Sequence, residues 1–202
     1  MRKANLTKNH DWFEQQIDLH RAFLDRTIGT PRVIQEWNDK FEIIEGSVLR
    51  ICALWESFII EELIDCLNLD CSTLSGHLKL NLPKDMSKDM CEAVLIGDRY
   101  LDFKSVKDLQ GFARKVLCKE NNPFDLIEDQ TAKKIDDIYI IRNYISHLSK
   151  KSETKLRQMY KTSYRLSKLS RPGDVLIAHN AHRFYQYIEA FFQSSRQMRG
   201  II

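Results

Sequence analysis

Apolar residues recur along this chain at steps of three and four, the period of helices that bury one side. Trp12, Phe13, Ile17, Leu24 and Ile28 make such a side for a first helix over residues 7 to 28, stopping near Gly29. Thr30-Pro31 has the form of an N-cap followed by proline at the first helical position. It predicts a long second helix over residues 31 to 68, with Gly46 as a place to bend. On that helix Val48, Ile51, Cys52, Trp55, Ile59, Leu63 and Cys66 share one face, read as core. Shorter helices fall over residues 87 to 97 and 105 to 119, bounded by Pro83, Gly97 and the Asn121-Asn122-Pro123 turn. Ile135, Ile138, Ile141, Ile145 and Leu148 mark a fourth major helix over residues 131 to 149. A final helix carries Phe184, Tyr187, Ile188, Phe191 and Phe192, a stripe suited to core or to a dimer surface. With seven Gly and four Pro, the chain has few breaks, and the fold class is all-α: a helical bundle of about five to eight helices.

Composition adds limits. The chain has 202 residues, of which 43% are hydrophobic and 29% charged, which suits a single globular domain over 1–202. Residues 1–30 supply its N-terminal helix and 31–198 the bundle. The opening MRKANLTKNHDWFEQQ has no apolar run of the length that a signal peptide or membrane span requires, so the expectation is a cytoplasmic protein with no membrane partner. Cys52, Cys66, Cys71, Cys91 and Cys118 are odd in number and include no CxxC pair, so they read as reduced, packed thiols. GxxxxGK, GxSxG and HExxH are absent, so nucleotide hydrolysis, serine hydrolysis and zinc proteolysis have no support from these motifs. His179 and His182 are three apart in HNAH, but no carboxylate or thiol joins them at ligand spacing; they read as a polar helix face, and no metal or cofactor is expected.

Within the fourth helix the stretch IRNYISHLS interrupts the apolar stripe with polar groups. Arg142 falls at the edge of the stripe, four residues after Ile138 and three before Ile145, where an unpaired guanidinium would be costly, so it requires an acidic partner. Glu62, within the stripe of the second helix, and Glu56 beside it are the two candidates. Asn143 and His147 are four apart and share a second face. Taken singly, each has an ordinary structural use; together they form a cluster suited to a site.

Charge is segregated along the chain. From Ile138 onward there are twelve Lys and Arg against three Asp and Glu, while the preceding residues carry a net −6 within an overall +3. Lys150, Lys151, Lys155, Arg157, Lys161, Arg165, Lys168 and Arg171 face one acid, Glu153. Arg157, Lys161, Arg165 and Lys168 read as one helical stripe, with Tyr160 and Tyr164 interleaved as platforms for bases. That combination suits RNA or DNA, the alternative being a solvated face balanced by acids such as Glu61, Glu62 and Asp65.

Arg142-Asn143-Tyr144-Ile145-Ser146-His147 resembles the R-x4-H motif of HEPN domains, including the polar residue after the arginine. Ala53-Leu54-Trp55-Glu56-Ser57-Phe58, followed by Ile59-Ile60-Glu61-Glu62-Leu63, is similar to the helix preceding that motif in the RiboL-PSP group of the family. As architecture the resemblance spans residues 31 to 198, with residue-level matches in those two stretches; residues 70 to 128 carry no signature of it. It implies a HEPN-like bundle that forms a homodimer with a composite active site and cleaves RNA without a metal. It also implies a toxin or antiviral role, with an antitoxin or sensor protein as partner. Carried across, His147 becomes the general acid or base, Arg142 the stabiliser of phosphate charge, Asn143 an orienting group, and Glu56 a supporting residue.

The residue types suit that chemistry on their own account. RNA cleavage through the 2′-hydroxyl needs a proton acceptor and a neutraliser of phosphate charge, which imidazole and guanidinium supply. Arg142 and His147 lie about 140° apart around a helix, so a second copy is needed to surround one phosphate. The expected product end is a 2′,3′-cyclic phosphate. The reading from a different class is a catalytically silent helical binding or scaffold module of a defence or RNA-processing complex.

Overall fold

The computed structural model describes residues 3–28, 36–97 and 101–201. The predicted end of the first helix at Gly29 and the Thr30-Pro31 cap lie outside the described residues. Among these residues the fold is all-α, with nine α-helices, seven of them eight residues or longer, and no strand.

The central element is α2, Trp37–Leu69, about 50 Å long at 1.5 Å per residue. It runs unbroken through Gly46. The predicted face from Val48 to Cys66 is buried, and Ile44, Leu54, Phe58, Ile64 and Leu67 are buried around other sides as well. Such a helix needs cover from several directions. It receives it from α1 (Leu6–Thr27), α4 (Lys88–Leu95), α6 (Asp129–His147), α8 (Pro172–Ile177) and α9 (His182–Met198). Trp55 and Phe58 meet Phe13 of α1, whose ring stacks on Phe58 at 4.5 Å, and Trp55 meets Phe191 of α9 at 5.7 Å. The α9 stripe is therefore core: Phe184, Tyr187, Ile188, Phe191 and Phe192 are all buried.

The first helix departs from its predicted side at one residue. Phe13, Ile17 and Leu24 are buried as the period requires, but Trp12 is exposed, because its position falls a quarter-turn off the line through the other three. His10 takes the place on the buried side.

Between α2 and α6 the chain packs three short helices, α3 (Ser72–Leu78), α4 and α5 (Val106–Val116), then two 3-10 turns. Ser87 and Ser105 cap α4 and α5 by accepting from Met90 N–H and Asp108 N–H. Four of the five cysteines are buried and Cys118 is half-buried, all as free thiols. Of the described helices, none is long and apolar enough to cross a membrane.

The remaining helix, α7, covers Lys150–Met159. A five-residue π turn, Tyr160–Tyr164, continues it and stops at Arg165 in the left-handed region. Arg171 then caps α8 and is tied to Glu42 and Glu45 of α2. Gly173 is required in that corner, since a Cβ there would fall 2.7 Å from Phe41.

Candidate functional site

The motif helix α6 ends where its apolar pattern runs out. Ile135, Ile138 and Ile141 are buried, Ile145 is half-buried, and Leu148 is exposed. Leu148 adopts a left-handed conformation (φ 45°) with its N–H on the Tyr144 carbonyl, closing the helix at His147, two residues before the predicted end. Ser149 immediately caps α7: its hydroxyl accepts from Ser152 N–H, and Ser152 returns the bond to Ser149 N–H. The two caps make a sharp corner. His147 is thus the last, exposed residue of α6, and Lys150 and Lys151 open α7 beside it.

One turn earlier, Arg142 has the acidic partner that its position demands. Its Nη2 lies 3.5 Å from Glu56 Oε1 on α2, and its Nη1 donates to Asn143 Oδ1 at 3.1 Å. A guanidinium has five N–H donors, so this anchoring leaves others for a ligand. Glu56 also accepts from the Tyr139 hydroxyl, and Tyr139 precedes Arg142 by three residues on α6. Burial, together with the negative charge of Glu56, drives the Tyr139 phenol well above its ordinary range, so it stays a donor. Cys52 lies below the pair; burial first and Glu56 second raise its thiol, which keeps it protonated and unreactive. Sequence reasoning missed Tyr139, although its i, i+3 relation to Arg142 was a readable signal.

The two candidate partners therefore separate. Glu56 belongs to the Arg142 site, whereas Glu62 does not: it is fully buried on another side of α2, against α1. Its Oε1 lies 3.3 Å from His10 Nε2 and its Oε2 accepts from Asn9 Nδ2 at 2.9 Å. Six residues along a helix amount to 240°, so Glu56 and Glu62 face apart. The acids proposed to balance the basic segment are also elsewhere, since Asp65 pairs with Lys88.

The basic segment is only in part the predicted stripe. Lys150, Lys151, Lys155, Arg157, Lys161, Arg165 and Lys168 are all exposed. Arg157, Lys161 and Lys168 line an open groove of about 360 Å³ together with Thr154, Gln158, Ser167 and the apolar Leu166 and Leu169. Arg157 is braced by Glu153 through two bonds, 2.9 and 2.7 Å, to one carboxylate oxygen. Arg165 is not part of this groove, because the π turn ends there and the left-handed residue redirects the chain. The single helical stripe is accordingly corrected to a row on α7 and its π turn, with Lys168 in the same groove.

The two tyrosines are corrected as well. Tyr160 is buried, and Tyr164 is half-buried with its hydroxyl on that of Tyr187 and the Arg183 guanidinium over its ring at 4.9 Å. Burial pushes the Tyr164 phenol up to about 12. Tyr160 therefore has no free face for a base, and Arg183 occupies one face of the Tyr164 ring. Both tyrosines fall on the side of Leu156 and Met159, which is the core side of α7.

His179 lies in a left-handed run with Asn180 and Ala181 (φ 56°, 59° and 59°), and His182 Nε2 is 2.9 Å from Gln186 Nε2 on the exposed side of α9. Among the described residues no group of three or more His, Cys, Asp or Glu is placed to hold a metal ion. Comparison with protein-family models, with curated proteins and with solved structures finds no match to this chain.

Proposed function

We propose that the chain is a metal-independent endoribonuclease of HEPN type, with Arg142, Asn143 and His147 as its catalytic group. The observation that carries the reading is the α6 arrangement. A guanidinium is anchored by Glu56 and Asn143 at the surface, an exposed imidazole follows five residues later, and a row of cations begins at the next helix.

In this reading RNA phosphates follow Lys150, Arg157, Lys161 and Lys168, with Lys151 and Lys155 alongside, toward the corner that bears His147. Arg142 neutralises charge on the phosphate at the scissile bond. One His147 imidazole accepts the 2′-hydroxyl proton as the 2′-oxygen attacks phosphorus, and the P–O5′ bond breaks. A protonated His147 from a second copy delivers a proton to the departing 5′-oxygen. The products are a 2′,3′-cyclic phosphate and a 5′-hydroxyl. A positioned histidine contributes roughly 10²- to 10⁴-fold in such a step. The homodimer with its composite site, and a toxin or antiviral role with an antitoxin or sensor partner, rest on the resemblance of the motif.

A labelled RNA oligonucleotide and its 2′-deoxy counterpart test the reaction class. The full chain is expected to cut the RNA and spare the deoxy strand. Cutting of both strands refutes attack by the 2′-hydroxyl, and cutting of neither refutes the ribonuclease.

A further inference from the structure

The groove of Arg157, Lys161 and Lys168 shares a wall residue, Leu169, with a second open groove of about 570 Å³. The two differ in chemistry. Where the first presents three cations, the second sets Tyr144 and Leu148 of the motif corner against Arg171 and the α2 carboxylates Glu42 and Glu45, a net charge of −1. Leu148 follows His147 in the chain and, at 73%, is the most exposed large apolar side chain among the described residues. Tyr144 lies one helical turn before it and is half-buried. Arg171 is held firmly at the rim: its Nε donates to Glu45 Oε1 at 2.9 Å, its Nη2 donates to Glu42 and Glu45, and its guanidinium stands over the Phe41 ring at 5.7 Å. Glu45 has both oxygens engaged, Oε1 also accepting from Gly173 N–H at 2.9 Å. Glu42 meets Arg171 through Oε1, and its side chain stays 71% exposed.

An aromatic ring and an exposed leucine beside a row of cations suit a nucleobase. Bases of a single strand stack on aromatic side chains and are read along their Watson–Crick edges, while the phosphates stay on the cations. A base in a duplex has that edge occupied, so the strand that enters is unpaired. The polar rim then selects among the bases. A carboxylate accepts two parallel bonds from adjacent donors, and guanine alone carries two side by side, N1–H and the 2-amino group, with the O6 acceptor next to them for a guanidinium. Adenine, cytosine and uracil each put an acceptor beside a single donor on that edge, which turns a lone pair toward the carboxylate. We propose that this groove seats an unpaired guanine of the RNA, its ring on Tyr144 and Leu148, its two donors on Glu42 and its O6 toward Arg171. The proposal rests on the ribonuclease reading for the path of the strand, and it sets the guanine next to the phosphate at the His147 corner.

The test uses the full chain and short oligomers of 2′-O-methyluridine, each with one central guanosine, adenosine, cytidine or inosine. Attack by the 2′-oxygen is blocked in these strands, so fluorescence anisotropy reads binding apart from cleavage. The guanosine strand is expected to bind about 10-fold tighter than the adenosine and cytidine strands, within the range that one bidentate contact discriminates. Inosine lacks the 2-amino group and should fall between them. Glu42→Gln keeps the length of the side chain and puts an amide in place of one carboxylate oxygen; it is expected to bring guanosine within about two-fold of adenosine with Tm unchanged, as the pair with Arg171 is exposed. Equal binding of the guanosine, adenosine and cytidine strands, or a guanosine preference that survives Glu42→Gln, overturns the base pocket whether or not the chain cuts RNA. Binding of none of the strands gives the groove to a protein partner and overturns it as well. A guanosine preference that Glu42→Gln removes upholds the pocket even from a chain that cuts no RNA, a result that refutes the ribonuclease alone.

Discussion

Replacing His10 by Phe should cost this fold about 1–3 kcal/mol, the range for leaving a buried polar group without its hydrogen-bond partner. His10 is fully buried, with Nδ1 2.8 Å from Ser195 Oγ and Nε2 3.3 Å from Glu62 Oε1. Ser195 donates its own proton to Glu14 Oε1 at 2.8 Å, so it accepts from His10 Nδ1–H. A Phe ring fits beside Phe58, which meets the imidazole at 4.9 Å, so the substitution removes the hydrogen bonds with little change in volume. Glu62 is left buried with the Asn9 amide. For a chain of this length 1 kcal/mol shifts Tm by about 2–4 °C, so the expected fall is about 2–12 °C. Adding Glu62→Leu removes the stranded carboxyl and should recover most of the loss. Urea unfolding followed by circular dichroism gives the four corners of the cycle. A single-variant cost below about 1 kcal/mol, or a double variant as unstable as the sum of the singles, would refute a hydrogen-bonded network that joins the two residues.

Glu56→Gln keeps the shape of the α2 partner and removes its charge; stability should change by less than about 1 kcal/mol because the pair is partly exposed, while single-turnover cleavage falls about 10-fold as Arg142 is released. His20 has its pKa lowered by burial and, second, by Arg50, so its contribution to stability is present above the ordinary 6.5 and is lost as pH falls through the folded value. Tm measured across that range should therefore drop more for wild type than for His20→Gln. Tyr160→Ala should cost about 3 kcal/mol or more as a core truncation. By contrast, Lys161→Ala with Lys168→Ala should leave Tm unchanged and reduce the slope of log K against log salt for single-stranded RNA by about 1.4, or 0.7 per phosphate contact.

Much of the fold is written in the periodicity. The α2 face from Val48 to Cys66 and the aromatic stripe of α9 are buried where the three- and four-residue steps place them, because long apolar helices have few ways to hide their faces. The need of Arg142 for a carboxylate was equally legible, since its position at an apolar edge follows from helix geometry. The choice between Glu56 and Glu62 was not. It depends on which side of α2 meets α6 and which meets α1, and α2 is apolar on most of its circumference. His10 escaped notice for a related reason: a polar residue on a buried face is explained by partners far away in sequence, here Glu62 and Ser195. The tyrosines misled because their charged neighbours suggested exposure, although Tyr160 and Tyr164 continue the spacing of Leu156. The π turn that carries Arg165 away from the groove has no local signature, as its left-handed end falls on an arginine rather than on glycine.

The most direct measurement sets purified wild type against His147→Ala on total RNA in the presence of EDTA, with product ends tested for cyclic phosphate and the fold of both proteins checked by Tm. Because His147 is an exposed residue at the end of α6, its replacement should leave Tm within about 2 °C, about 0.5 kcal/mol for a surface substitution. The account predicts cleavage by wild type alone, leaving 2′,3′-cyclic phosphate ends. Equal cleavage by both proteins, or none by either from folded protein, would contradict it and make IRNYISHLS a structural feature of α6.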